Sequence, residues 1–142
     1  MGTLAPPTNV SRLARAVDRH GVDYDDTTKT ASTISQVVHY ESGVGTYSVL
    51  PRLMAFDYLY SGLSGKGIEK SILNAYSFLC NNNNFGAGQD EIILVGFSRG
   101  AFAVRCLAAF ITQIGLIRRR HLFLLATVFE NWWQNRGEID EK

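Results

Sequence analysis

Apolar residues follow two rhythms along this chain, one of helical period and one of short uninterrupted runs. In TNVSRLARAVDRHG (8–21), Val10, Leu13, Ala14 and Val17 share one face, Thr8 or Asn9 supplies a cap, and Gly21 supplies a stop. His20 then sits at that helix's C-terminal end, where the dipole favours a cation. SVLPRLMAFDYLY (48–60) predicts a second helix with Pro51 in its first turn. Ile68, Ile72, Ala75, Tyr76 and Leu79 predict a third, stopped by the tract Asn81 to Asn84. Two more follow, from residue 99 to near Gly115 and around HLFLLATVFENWW (121–133). The uninterrupted runs are ISQVVHY (34–40) and EIILV (91–95), which predict buried parallel strands. DYDDTTKTAST (23–33) reads as a polar loop, and ESGVGT (41–46) and GLSGKG (62–67) as glycine-bearing connections. The order helix, strand, helix, helix, strand, helix, helix predicts an α/β fold with a mostly parallel sheet flanked by helices.

The second strand runs directly into Gly96-Phe97-Ser98-Arg99-Gly100, which matches GxSxG in its proper setting, after a strand and before a helix. That spacing has a steric reason. A serine on so sharp a turn occupies strained backbone, and side chains two residues before and after it would collide, so glycine is wanted at both places. The turn lifts the Ser98 hydroxyl above the N-terminus of the next helix, where the Arg99 amide and the helix dipole face a developing oxyanion. A chance occurrence of two glycines and a serine is the competing reading, and the strand and helix flanks weigh against it.

Composition narrows the partners. A net charge of +1 predicts no general attraction to nucleic acid or anionic lipid. The compact basic run Arg118-Arg119-Arg120 reads as a helix C-terminal charge cluster. AFAVRCLAAFITQIGLI (101–117) contains Arg105 and Gln113 and is short for a membrane span, so it reads as a buried helix. No basic segment followed by an apolar core opens the chain, and Cys80 and Cys106 have neither CxxC nor metal-like spacing. Reduced thiols and a cytoplasmic location are the expectation. GLSGKG lacks both the first glycine and the Ser or Thr of a phosphate loop, and no motif calls for a metal or organic cofactor.

GFSRGAFAVRCLAAFI, together with PTNVSRLARAV, QVVHYESGVGT and GKGIEKSILNAYSFL leading into EIILVGFSRGA, resembles the catalytic core of the type VI secretion phospholipase effector (family 1)-like hydrolases, an uncharacterised α/β-hydrolase domain family. The resemblance spans most of residues 6–117, with four motifs in the family's order. It implies an α/β-hydrolase fold acting on carboxylic esters, with phospholipids as the bacterial effectors' substrates. Ser98 maps onto the nucleophile and Arg99 onto the oxyanion amide. Glu41, Gly43 and Gly45 fall in a family loop near the active site, and turn formation explains the glycines equally well. The family's Asp-Gly-Thr-Trp-like strand has no counterpart beyond Met1-Gly2-Thr3.

A serine nucleophile needs a base, which these hydrolases supply in the order Ser, then Asp or Glu, then His. After Ser98 only His121 follows, with no acid between, so His121 reads as a helix-terminal surface residue. His39 lies at the sheet end where open α/β folds bind ligands, which makes it a site-lining candidate beside the commoner role of a satisfied core histidine. The expectation is a partial domain over 1–142: a serine hydrolase on esters or lipids through an acyl-enzyme on Ser98, its acid and base absent. The alternative is a noncatalytic remnant or interaction module that keeps the scaffold. An unpaired sheet edge would favour self-association.

Overall fold

The computed structural model describes residues 7–42, 65–85 and 90–139. The chain divides into two units, Met1–Ser42 and Gly43–Lys142. The predicted helix over 48–60 and the connection around 62–64 lie outside the described residues.

The first unit holds helix α1 (Asn9–Ala16), strand β1 (His20–Asp25) and strand β2 (Thr30–Ser35). Thr8 caps α1, its hydroxyl accepting from the Ser11 amide at 3.2 Å. The helix stops at Ala16, and His20 and Gly21 belong to β1 rather than to a helix end. β1 and β2 pair antiparallel in the register His20↔Ser35 to Asp25↔Thr30. Much of the predicted polar loop is therefore a hairpin. The Asp25 carboxylate closes its turn, accepting from the amides of Thr27 at 2.8 Å and Thr28 at 3.3 Å and from the Thr28 hydroxyl at 2.8 Å. Those bonds hold the Asp25 carboxyl below its usual range, and Lys29 takes a positive φ of 56° to complete the turn.

The second unit holds α2 (Gly65–Asn82), α3 (Arg99–Ile114), a 3₁₀ helix (Arg119–Leu124) and α4 (Leu125–Ile139). α2 ends in the asparagine tract as predicted: the Asn81 and Asn82 side chains donate to the Ser77 and Phe78 carbonyls, each at 2.8 Å. α3 ends at Gly115, whose φ of 80° and N–H bond to the Ile111 carbonyl terminate it. Each helix contributes one stripe to the core: Ile72, Tyr76 and Cys80, then Leu107 and Phe110, then Leu125, Phe129 and Trp132. Phe110 is fully buried at the centre, with ring centroids of Tyr76, Trp132 and Phe129 at 4.7, 5.0 and 5.2 Å. Gln113, a polar residue in an apolar stretch, accepts the Trp132 indole N–H. Tyr76 ties two helix ends together, its hydroxyl donating to the Gly115 carbonyl at 2.9 Å and accepting from the Ile117 amide at 3.1 Å. Burial pushes the Cys80 thiol up.

The expected α/β-hydrolase architecture with a mostly parallel sheet is not what forms. Among the described residues the sheet is the two-stranded antiparallel hairpin, and the second unit is helical. Residues 91–97 alternate between exposed and half-buried positions but pair with no strand among the described residues. Leu94 packs against the helical core instead, while Ile93 and Val95 stay exposed. ISQVVHY yields only its first two residues to β2; Val37 and Val38 are exposed in irregular chain. Apolar runs carry strand propensity, but a strand needs a ladder partner, and the described residues supply none.

Phe110→Ala is expected to lower unfolding free energy by about 3–5 kcal/mol, the cost of emptying a packed aromatic site. Tyr76→Phe keeps the ring and removes two hydrogen bonds, to the Gly115 carbonyl and the Ile117 amide, so about 1–3 kcal/mol is expected. Urea denaturation followed by tryptophan fluorescence measures both. Burial also raises the Tyr76 hydroxyl to about 12 from 10.0. A raised folded value means that its contribution is complete below pH 10.0 and is lost as pH rises toward about 12. The stability gap between wild type and Tyr76→Phe should therefore narrow over that window.

Candidate active site

Residues 96–101 change direction abruptly, from extended chain into α3. The Gly100 amide bonds to the Phe97 carbonyl at 2.9 Å, and the Ala101 amide bonds to the Ser98 carbonyl at 3.0 Å. Ser98 is the N-cap of α3 with φ 54° and ψ −123°. A positive φ at a non-glycine residue is strained, by about 1–3 kcal/mol, and persists only where the surroundings enforce it. Gly96 permits the close approach that goes with it. A Cβ at position 96 would collide with the Gly100 carbonyl oxygen and lie 2.6 Å from the Gly100 carbonyl carbon and 2.8 Å from the Ala101 nitrogen. Gly100 carries no matching constraint, because a Cβ there meets nothing within 4 Å. The steric case for glycine thus holds before Ser98 and not after it.

Ser98 is exposed, and its side chain makes no capping bond to the helix it begins. Its neighbour Phe97 is 80% exposed. Arg99 is the first residue of α3, where a backbone N–H has no intrahelical acceptor and the dipole is positive. An exposed hydroxyl above a helix N-terminus is an arrangement suited to nucleophilic attack on a carbonyl.

The structure brings Gly96, Ser98, Arg99 and Gly100 into this single turn. His39 and Glu41 form a separate pair in the first unit, His39 Nε2 to Glu41 Oε1 at 3.3 Å, each about one-third exposed. His39 is therefore not a core strand histidine. Gly43 and Gly45 lie outside the described residues. His121 is exposed in the 3₁₀ helix, beyond the far end of α3 from Ser98. Sixteen residues of helix separate those two ends, about 24 Å at the usual rise. Among the described residues of the second unit no histidine or carboxylate hydrogen-bonds the Ser98 hydroxyl. Arg118–Arg120 lie past the break that ends α3, and Arg119 opens the 3₁₀ helix. The φ-positive Gly115, three residues upstream, was the sequence signal for that break.

The two elbow glycines should respond differently to a methyl group. Gly96→Ala is expected to open the turn and cost roughly 1–3 kcal/mol by overpacking. Gly100→Ala, within a helix and facing open space, is expected to be neutral or to stabilise by up to about 1 kcal/mol. Thermal or urea melts of both variants check the asymmetry.

The family described as T6SS, Phospholipase effector Tle1-like, catalytic domain, matches residues 2–142. Uncharacterized protein YEL023C of Saccharomyces cerevisiae is 29% identical over 108 residues, which is 68% of this chain. The chain spans 15% of that relative's length. No solved structure matches. With the GFSRGA turn and a family match over nearly its whole length, the chain belongs to the Tle1-like phospholipase effector catalytic-domain family.

Proposed function

We propose that this chain carries the nucleophile of a lipase-like serine hydrolase that acts on carboxylic esters of phospholipids. Ser98, with its positive φ on a turn that Gly96 keeps tight, is the observation that carries the reading. In this reading the Ser98 hydroxyl oxygen attacks the ester carbonyl carbon, and the proton passes to a general base as the oxygen–carbon bond forms. The tetrahedral oxyanion takes hydrogen bonds at the N-terminus of α3, with the Arg99 amide as one donor. Collapse expels the alcohol and leaves an acyl group on Ser98, which water then removes. Family membership supports phospholipid as the substrate class. The proton acceptor is not among the described residues bonded to Ser98, so in this reading it comes from elsewhere in the folded enzyme.

A second reading has a specific observation in its favour. With no histidine or carboxylate on Ser98 among the described residues of the second unit, that unit also suits a noncatalytic scaffold that retains the turn. The two differ by a wide margin, because loss of an activating base slows turnover on the order of a millionfold.

Fluorophosphonate labelling separates them. The hydrolase reading predicts rapid modification at Ser98 that is abolished in Ser98→Ala, with esterase activity lost in parallel. Modification no faster than that of free serine would leave the scaffold reading standing.

A further inference from the structure

Arg118, Arg119 and Arg120 concentrate three positive charges in a chain whose net charge is +1. They lie across the C-terminal end of α2, because Tyr76 pins the chain at Gly115 and Ile117 just before them. Together with Asn81, Asn83 and Phe85 they line an open cleft of about 290 Å³ floored by Cys80. Neutralising the α2 terminus would be their simplest role, but among the described residues none of the three guanidinium groups bonds a carbonyl there, and the Leu79 carbonyl is taken by the Asn83 amide. Nor do carboxylates balance them: among the described residues none is in ion-pair range of the three arginines. Asp90, on the neighbouring loop, accepts the Asn84 amide at 2.7 Å.

The 3₁₀ helix gives this cluster a second property. With three residues per turn, positions i and i+3 eclipse, so Arg119 stands over Leu122, Arg120 over Phe123 and His121 over Leu124. Leu122 packs on the core. Phe123 and Leu124 do not, at 78% and 44% exposed, and Phe85 in the cleft is 45% exposed. Each outward edge therefore pairs a basic or imidazole side chain with an exposed apolar one. That order suits a lipid interface, where guanidinium groups meet phosphates and the apolar groups reach the acyl boundary.

We propose that the Arg118–Arg120 cleft docks on the phosphate headgroups of an anionic phospholipid surface, with Phe85, Phe123 and Leu124 at the acyl boundary. The contact lies about 24 Å along α3 from the Ser98 turn and stands whether or not Ser98 is catalytic.

Cosedimentation of the full chain with vesicles tests it, using phosphatidylcholine alone and phosphatidylcholine mixed with phosphatidylglycerol. Three arginines predict partition on the order of a hundredfold stronger onto the anionic vesicles, weakening with salt. The triple change Arg118→Gln, Arg119→Gln, Arg120→Gln should abolish that preference while near-ultraviolet circular dichroism stays unchanged. Should that variant unfold, the charge-conserving triple lysine variant and Phe123→Ser decide: the first should keep most of the preference and the second should weaken binding. Equal binding to both vesicles, or an unaffected glutamine variant, overturns the proposal. So does displacement by inorganic phosphate where sulfate of equal ionic strength has no effect, which would assign a free-phosphate site. Capture by duplex DNA equal to capture by the vesicles would overturn the lipid assignment as well.

Discussion

Everything described in the second unit depends on one buried phenol. The Tyr76 ring packs at a tilt against Phe110 in the middle of the helical core, and its hydroxyl spans the break between α3 and the 3₁₀ helix. One side chain of α2 therefore fixes where α3 ends and in which direction the chain leaves. Bonded on both sides of the break, the hydroxyl holds the two segments together, each bond contributing about 1 kcal/mol. Since α3 is a continuous rod, fixing one end also orients the other.

The two ends of that rod carry different chemistry. At its start, residue choice is forced: Gly96 sits too close to the Gly100 backbone for any side chain, and Ser98 takes a positive φ. Beyond its end, geometry permits rather than forces, and the arginines line an open cleft with apolar side chains beside them. The proposed readings assign the two ends different tasks, ester attack at Ser98 and lipid docking at the arginines, within a phospholipase effector family. Net charge conceals this arrangement. A value of +1 predicts indifference to anionic surfaces, yet electrostatic attraction acts over about 10 Å and responds to three local arginines rather than to the sum over the chain.

What could be read from the sequence was what local chemistry decides. The Asn81–Asn84 stop of α2, the Gly115 stop of α3 and the tight turn at GFSRGA depend on residues within a few positions of one another, and the structure contains each. The sheet was not legible, because strand pairing is a long-range matter. EIILV has strand composition and a period-two burial pattern, but composition cannot supply a neighbour, and Leu94 found the helices. The hairpin β1–β2 escaped notice for the opposite reason. Its residues are almost all exposed, so no apolar run announced it, and the Asp25 turn bonds that organise it resemble those of any polar loop. His39 looked like a buried strand residue and is instead a partner of Glu41, about one-third exposed, in irregular chain.

The central claim is that the strained turn presents Ser98 as a nucleophile, and the acyl-enzyme is its direct product. Rapid acid quench of the protein with a phospholipid substrate, followed by peptide mass spectrometry, detects that species. The account predicts a mass increment of one acyl chain confined to the peptide bearing Ser98, appearing before steady turnover and absent from Ser98→Ala. An unmodified Ser98 peptide during active hydrolysis, or acyl groups scattered over other residues, would contradict it.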